Sequence, residues 1–195
     1  MGMSGATVLV VDNEPAVAEA YQSYLMESYD VRLAFDGETA LEKLDDSVDV
    51  VLLDRRMPAL SGDEVLSHIR ARGHECQVAM VTSTKPGVDV IDMGFDEYLM
   101  KPVSEDTLLS TVEGLLDRRD YDETLQEYYT SAKKYAALKA ERSAEALEDT
   151  EEFQRLRRRV RRLGGDVEQA FDRIETREGV DVAVDRSSAH PSHRT

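Results

Sequence analysis

The stretch VVLLDRRMPALSG, residues 50–62, decides the fold of this chain. Its four apolar residues end abruptly at Asp54, which is followed by two arginines and a Met-Pro pair. A short continuous apolar run is typical of a strand that is buried on both faces of a parallel sheet. Ligands of such sheets bind beyond the carboxyl ends of the strands. The stretch therefore predicts a central strand that presents Asp54 to a ligand.

Further apolar runs lie on both sides of this strand in the sequence, and amphipathic segments alternate with them. The strand candidates are TVLVV (7–11), VRLAF (31–35), VDVVLL (48–53), QVAMV (77–81) and EYLM (97–100). The helix candidates are residues 15–28, 37–45, 63–72, about 86–93 and 104–118. Alternating strands and helices predict an α/β fold in which helices cover both faces of a parallel sheet.

Candidate site residues follow four of the five predicted strands. They are Asp12, Asn13 and Glu14 after the first strand, Asp54 after the third, Thr82 and Ser83 after the fourth, and Lys101 and Pro102 after the fifth. Any one of them alone is more often a helix cap or a turn residue. Because parallel strands end at the same edge of a sheet, the four sets together indicate one shared site.

The composition indicates a soluble cytoplasmic protein without membrane contact. The single cysteine, Cys76, excludes an internal disulfide framework. We expect neither a signal peptide nor a membrane span, because no basic leader and no run of eighteen apolar residues is present. The net charge is −16, and arginine far outnumbers lysine. This balance favours adaptation to a salt-rich cytoplasm over ordinary solubility by self-repulsion.

Charge and periodicity together predict three segments. Residues 1–118 carry most of the net negative charge, whereas residues 119–195 are almost balanced. We therefore expect one domain over 1–118 and a second over 119–178. Residues 179–195 show no periodicity and are expected to be a disordered tail.

The motifs VVDNEP, LLDRRMPALSG, VTST and YLMKPV resemble, in this order and spacing, the receiver domain of two-component response regulators. The resemblance covers about residues 5–118. It implies the flavodoxin-like (βα)5 fold with strand order 2-1-3-4-5. It also implies a signalling protein, not an enzyme, in which Asp54 accepts a phosphoryl group from a histidine kinase.

The receiver resemblance implies roles for the other site residues. Mg²⁺ would be held by Asp12, Asp54 and the backbone carbonyl of Arg56, with Asn13 as a weaker ligand. Phosphoryl oxygens would be bound by Lys101 and the Thr82 hydroxyl, and Tyr98 would turn inward when Thr82 moves. Pro102 would follow a cis peptide bond, and Arg56 and Thr84 lie where family members tune the lifetime of the phosphoryl group.

Two features depart from the usual receiver pattern. Most receivers carry two adjacent acids after the first strand, but here the second is Asn13, so we expect weaker metal binding. Glu14 is a candidate for compensation, although an acid before Pro15 is equally explained as a first-turn residue of the first helix. The segment between Thr82 and Gly94 is about one helical turn shorter than usual, which predicts a stubby fourth helix and puts dimerisation through the usual face in doubt.

The C-terminal segment shows two apolar stripes at helical spacing. They are Tyr121, Leu125, Tyr128, Ala132 and Tyr135 in the first, and Phe153, Leu156, Val160, Leu163, Val167, Ala170 and Ile174 in the second. They predict an antiparallel all-α hairpin or a coiled-coil homodimer through 119–178. Tyr128 and Tyr129 are interpreted as residues of the helix contact. Residues 117–180 resemble the HalX domain of haloarchaeal response regulators.

The run RLRRRVRRL, residues 155–163, suggests contact with nucleic acid, since phosphates bind such patches. However, Leu156, Val160 and Leu163 make the same helix part of the hairpin. Charge pairing with the glutamate-rich facing helix is therefore favoured over nucleic-acid binding, which stays possible.

Two other functions stay open. A phosphatase of the haloacid dehalogenase type would use Asp12 as nucleophile, but its motif needs an aspartate where Glu14 stands, and it leaves the D-x-x-M-P block unexplained. A scaffold that does not depend on phosphorylation rests only on Asn13. The receiver function ranks first, with transcriptional regulation as the candidate process.

Overall fold

The computed structural model describes residues 5–141 and 150–178. Five parallel strands form one sheet in the order β2-β1-β3-β4-β5, which confirms the predicted topology. The strands are β1 (Thr7–Val11), β2 (Asp30–Ala34), β3 (Val50–Leu53), β4 (Gln77–Thr82) and β5 (Glu97–Met100). The helices are α1 (Pro15–Leu25), α2 (Gly37–Lys43), α3 (Gly62–Ala71), α4 (Glu105–Glu141) and α5 (Glu151–Glu178).

The sheet is covered on both faces because its inner strands are apolar at nearly every position, the exceptions being Thr7, Gln77 and Thr82 at strand ends. Side chains of β1, β3 and β4 alternate between two buried clusters, as the two-residue period of a strand requires. One cluster packs against α2 and α3, and the other packs against α1 and the first part of α4. The polar residues that follow the strands are thereby gathered at one edge of a rigid sheet.

The predicted helix over 86–93 is wrong: the segment contains only a 3₁₀ turn, Val88–Val90. Pro86, Gly87 and Gly94 bracket the segment, and its β-branched residues favour helix weakly. The rest of the connection from β4 to β5 is held by Arg70 of α3. Its Nε donates to the Gly94 carbonyl at 2.7 Å. The turn leaves Val88 87% exposed and Ile91 77% exposed.

The predicted end of a helix near residue 118 is also wrong. Helix α4 continues to Glu141 as one element of 37 residues. No glycine or proline occurs between Leu115 and Glu141, so nothing in the sequence interrupts the backbone hydrogen bonds. The change in net charge near residue 118 therefore does not coincide with the end of a helix. The chain nevertheless divides into two compact units between Arg119 and Asp120.

The C-terminal unit contains the antiparallel hairpin that the two apolar stripes predict. Tyr121 lies 6.1 Å from Phe171 between ring centroids, and Tyr135 stacks on Phe153 at 5.2 Å. Sequence numbers rise along one helix as they fall along the other, which defines the antiparallel arrangement. Tyr129 is 55% exposed in the single chain, so its interpretation as a contact residue stays a prediction for the homodimer.

The arginine run forms ion pairs both across the hairpin and along its own helix. Arg159 bridges to Glu127 of α4 at 3.3 Å. Arg155 and Arg162 pair with acids of their own helix.

In the described ranges, 5–141 and 150–178, no helix is long and apolar enough to cross a membrane. The predicted tail, 179–195, lies outside these ranges.

Candidate phosphoacceptor site

Asp54 is positioned by backbone contacts on both sides of β3. Its N–H donates to the Val11 carbonyl of β1 at 2.8 Å, which continues the parallel ladder by one residue. Gly62, the first residue of α3, packs directly on the backbone of Asp54, and its N–H donates to the Arg55 carbonyl. A Cβ at position 62 would lie only 2.2 Å from the Asp54 carbonyl oxygen. The glycine of the D-x-x-M-P-x-x-x-G motif is therefore required by close approach of the helix to the backbone of Asp54.

Asp12, Asp54 and Lys101 form a buried charged cluster at the carboxyl edge of the sheet. Lys101 Nζ donates to Asp12 Oδ2 at 2.6 Å and lies 3.5 Å from Asp54 Oδ1. The other Asp12 oxygen, Oδ1, accepts from the N–H of Glu14 at 3.0 Å and so satisfies a free donor at the start of α1. Asp12 is 2% exposed and Asp54 is 6% exposed. The Lys101–Pro102 peptide bond is cis.

Groups of the cluster shift the pKa of the Asp54 carboxyl group in opposite directions. Burial raises the pKa of the Asp54 carboxyl group, Lys101 opposes this rise, and the Asp12 carboxylate adds to it. The backbone N–H of Arg56 donates to the Asp54 carboxylate and also opposes the rise. Lys101 thus favours the ionised form of the Asp54 carboxyl group in a buried setting.

Tyr21 is a neighbour of this cluster that sequence reasoning missed. Burial, followed by the charges of Asp12 and Asp54, raises the pKa of Tyr21 to about 12. The apolar spacing of α1 identifies Tyr21 only as a core residue, and no motif sets it apart. Its hydroxyl group stays neutral beside the carboxylates at physiological pH.

Oxygen donors at this edge suit a hard divalent cation. Mg²⁺ prefers oxygen ligands and keeps several waters, so two carboxylates are a sufficient protein contribution. Asp12 and Asp54 supply them, and the half-buried Asn13 follows Asp12 directly. Within the described part of the chain no cluster of three or more His, Cys, Asp or Glu side chains could hold a metal. Glu14 is exposed at the start of α1.

Thr82 and Tyr98 meet at one residue, Thr84. The buried Thr82 Oγ1 accepts from the N–H of Thr84 at 3.2 Å. The Tyr98 hydroxyl donates to the Thr84 carbonyl at 2.7 Å, and its ring packs 5.5 Å from that of Phe95. Arg56 Nε donates to the Thr84 hydroxyl at 2.8 Å. The predicted phosphoryl-binding and switch residues are thus joined through the loop after β4.

Comparison with known families matches both halves of the chain. The family model for the response regulator receiver domain matches residues 8–113, and the HalX domain model matches residues 117–184. The chain belongs to the response regulator receiver family. In this chain, the receiver domain is followed by a HalX domain, as the sequence motifs predict.

Relatives share parts of this organisation. A Haloferax volcanii protein named as a transcriptional regulator is 44% identical over 165 residues, which are 84% of this chain and 28% of that protein. The transcriptional regulatory protein CpxR of Escherichia coli K12 is 34% identical over 123 residues, 61% of this chain and 53% of CpxR. The chain thus spans about a quarter to a half of the length of these relatives.

Solved receiver domains share the fold of the first unit. A CheY-like receiver from Methanospirillum hungatei superimposes with a TM-score of 0.57 at 26% identity, over 61% of this chain and 99% of that one. The beryllofluoride-activated receiver of DrrB gives 0.54 at 26% identity, over 58% and 98%. These likenesses cover the sheet and its helices and identify them as a receiver fold.

Proposed function

We propose that this chain is the response regulator of a two-component system and that Asp54 is its phosphoacceptor. The observation that carries the proposal is the buried Asp54 carboxylate at the end of β3, with the Lys101 ammonium 3.5 Å away. A buried carboxylate without a nearby cation would protonate and lose its nucleophilicity. Receiver domains interact with histidine kinases, so the phosphoryl donor is a phosphohistidine.

The reaction moves one phosphoryl group to the carboxylate. An Asp54 oxygen attacks phosphorus, a P–O bond forms, and the P–N bond to the kinase histidine breaks in line with it. Lys101 is bonded to Asp12 in the unmodified protein. After transfer, its ammonium group would pair with an oxygen of the phosphoryl group. Thr82, buried beside it, would donate its hydroxyl to another.

Receiver domains bind Mg²⁺ at the phosphorylation site, and the donor set here fits that ion. Asp12, Asp54, the Arg56 carbonyl and, more weakly, the Asn13 amide are its proposed ligands. The ion supplies positive charge to the phosphoryl oxygens when it is bound. A bound metal would share the Asp12 carboxylate with Lys101 and so weaken the Asp12–Lys101 bond. The Lys101 ammonium group would then be available to the phosphoryl group.

The proposed output is a helical one. Residues 1–118 form the receiver and residues 119–178 the HalX-type output domain, which passes the phosphorylation state to a further partner. The names of the relatives make transcriptional regulation the plausible process. Receiver domains often dimerise, and a homodimer through 119–178 is the proposed assembly.

The test is labelling with a small phosphodonor. Incubation with acetyl phosphate and Mg²⁺ is expected to add one phosphoryl group, detected by intact mass, and Asp54→Ala is expected to abolish it. Label that persists in Asp54→Ala and is lost in Asp12→Ala would favour the phosphatase. No label with either donor, acetyl phosphate or phosphorylated kinase, would favour the scaffold.

A further inference from the structure

The hairpin of α4 and α5 separates its charges along its length. Contacts between aromatic rings fix the level of one helix against the other, so that residues 128–141 lie beside 150–162, and residues 120–127 lie beside 163–178. We define the first two segments as the basic half and the other two as the acidic half. The basic half carries nine basic and three acidic residues, and the acidic half carries nine acidic and two basic residues. The connection 142–149, outside the described residues, adds one basic and three acidic residues, so the two halves keep opposite net charges.

One side of the hairpin presents charges from both halves. Residues three or four apart share a face of a helix, and on α5 they form an arginine stripe, which we define as Arg155, Arg158, Arg159 and Arg162. Arg159 bridges to Glu127 of α4, which shows that the stripe borders the other helix on this side. In the acidic half, the same spacing continues along α5 into a groove of about 320 Å³ between the helices. Its lining includes Asp120, Glu123 and Thr124 of α4 and Asp166, Gln169 and Arg173 of α5.

The stripe and the groove lie at similar distances from the middle of the hairpin. Gly164 marks this level, where its backbone faces the Tyr128 ring. Arg158 precedes Gly164 by six residues, about 9 Å of helix, and Gln169 in the groove follows it by five, about 8 Å. A two-fold axis at this level, perpendicular to the helices, would therefore set the stripe of each copy against the groove of the other. Such an interface is isologous, because one surface serves both copies.

We propose that this side of the hairpin binds a second copy of the chain, with the two hairpins antiparallel and the arginine stripe of each copy against the acidic groove of the other. The inference rests on the proposed homodimer through 119–178 and names its face and its orientation. A parallel pair would bring arginines against arginines, and like charges across an interface oppose association. The charge pattern thus selects the antiparallel pair, as flanking charges set orientation in coiled coils.

The same charges disfavour a nucleic acid on this side. Carboxylates already border the stripe, since Arg159 pairs with Glu127 and Arg162 with Asp166. A phosphate backbone laid along the helix would meet the acidic half within about one turn beyond Arg162. A second copy instead offers each half the opposite charge.

Sedimentation equilibrium of the full-length protein measures the dissociation constant of the dimer. Arg158 is exposed and forms no ion pair within residues 5–141 and 150–178, and Gln169 is exposed and uncharged. Arg158→Glu and Gln169→Arg therefore alter the stripe and the groove without breaking an ion pair of the single chain. Circular dichroism checks that each variant keeps its helix content.

Each single variant should raise the dissociation constant about tenfold, because the dimer contains the altered contact twice, although each exposed charge pair is weak. The combined variant should return to within about threefold of the parent, since acid and base have then exchanged places across the interface. The two positions lie about 16 Å apart along one helix, too far to pair within a chain, so this restoration arises only between copies. Lys133→Glu is the matched control, because it makes the same charge change at an exposed site of the basic half outside this side, and it should leave the dissociation constant unchanged.

The inference fails if the parent is a monomer, if the combined variant is no tighter than the single ones, or if Lys133→Glu weakens the dimer as much as Arg158→Glu does. A monomer that binds duplex DNA and loses it in Arg158→Glu would identify a nucleic-acid surface and would also overturn the inference. Labelling by acetyl phosphate in the same samples tests the proposed function separately. A protein that takes no label but shows the expected pattern of variants keeps the interface and loses the receiver function.

Discussion

Replacing Gly62 by alanine tests the contact that positions Asp54, the proposed phosphoacceptor. A Cβ at this position would lie 2.2 Å from the Asp54 carbonyl oxygen and 2.8 Å from the Arg55 Cα atom. Both are backbone atoms, so no rotation of a side chain relieves the overlap. Non-bonded carbon atoms pack at about 3.5 Å or more, and the start of α3 or the end of β3 must therefore move by roughly 1 Å.

The expected cost follows from that displacement. Overpacking of a well-packed site costs about 1–3 kcal/mol of unfolding free energy, and a backbone clash lies at the upper end of this range. The gain in helix propensity from glycine to alanine, about 1 kcal/mol, opposes it only in part. Since Asp54 moves as well, its labelling rate should fall by as much as about a hundredfold, the effect of a 1 Å misplacement of a reacting group.

Urea denaturation and the rate of labelling by acetyl phosphate measure the two effects. Gly94→Ala is the matched control in the same unit, because the nearest atom to its Cβ would be Arg70 Cγ at 3.4 Å, a van der Waals distance, and no backbone atom would be close. The control should change neither quantity appreciably. A Gly62→Ala variant that is as stable and as reactive as the parent would show that the helix does not press on the acceptor, and the reasoning would be refuted.

Three further predictions concern charge and packing. Asn13→Asp should tighten Mg²⁺ binding in a titration, because a full charge attracts the cation more than an amide dipole does; equal affinity would mean that the metal site is already complete. Asp54→Asn should raise stability at pH 7, because burial raises the pKa of Asp54 in the fold above its unfolded value. The ionised group thus destabilises the fold above the raised pKa. The gain should shrink as the pH falls towards the ordinary value near 4, and a gain that does not depend on pH would exclude this cause. Leu163→Ala, at a side chain 3% exposed, should cost about 2–5 kcal/mol by urea denaturation, whereas Gly165→Ala, with open space around its Cβ, should stabilise by up to about 1 kcal/mol; the opposite order would contradict the hairpin packing.

The sequence predicts the candidate site well where the signal is local. Asp54 and Asp12 stand directly after apolar runs, and the end of a buried strand can be read from its neighbours in the chain. Thr82 and Lys101 are found for the same reason. The contacts of Thr84 are not predictable in this way, because they depend on the loops after β3 and β4 and on β5, whose separation is set by the packing of the whole sheet.

Errors in the sequence reasoning have equally specific causes. The segment after Thr84 has the length of a short helix, but Pro86 and the glycines leave only a 3₁₀ turn, and Arg70 holds the crossover instead. Helix α4 continues past Arg119 because backbone hydrogen bonding responds to glycine and proline and not to a change in net charge.

The sequence alone determined the alternation of strands and helices, the residues that end each strand, and the two apolar stripes of the hairpin. These follow from periods of two and of about 3.6 residues, which neighbouring side chains encode. Only the tertiary structure decided that Lys101 bonds Asp12 across 89 residues and that Gly62 touches the backbone of the acceptor. Such distances of a few ångströms result from the simultaneous packing of four strands and their helices, and no local stretch of the chain contains them.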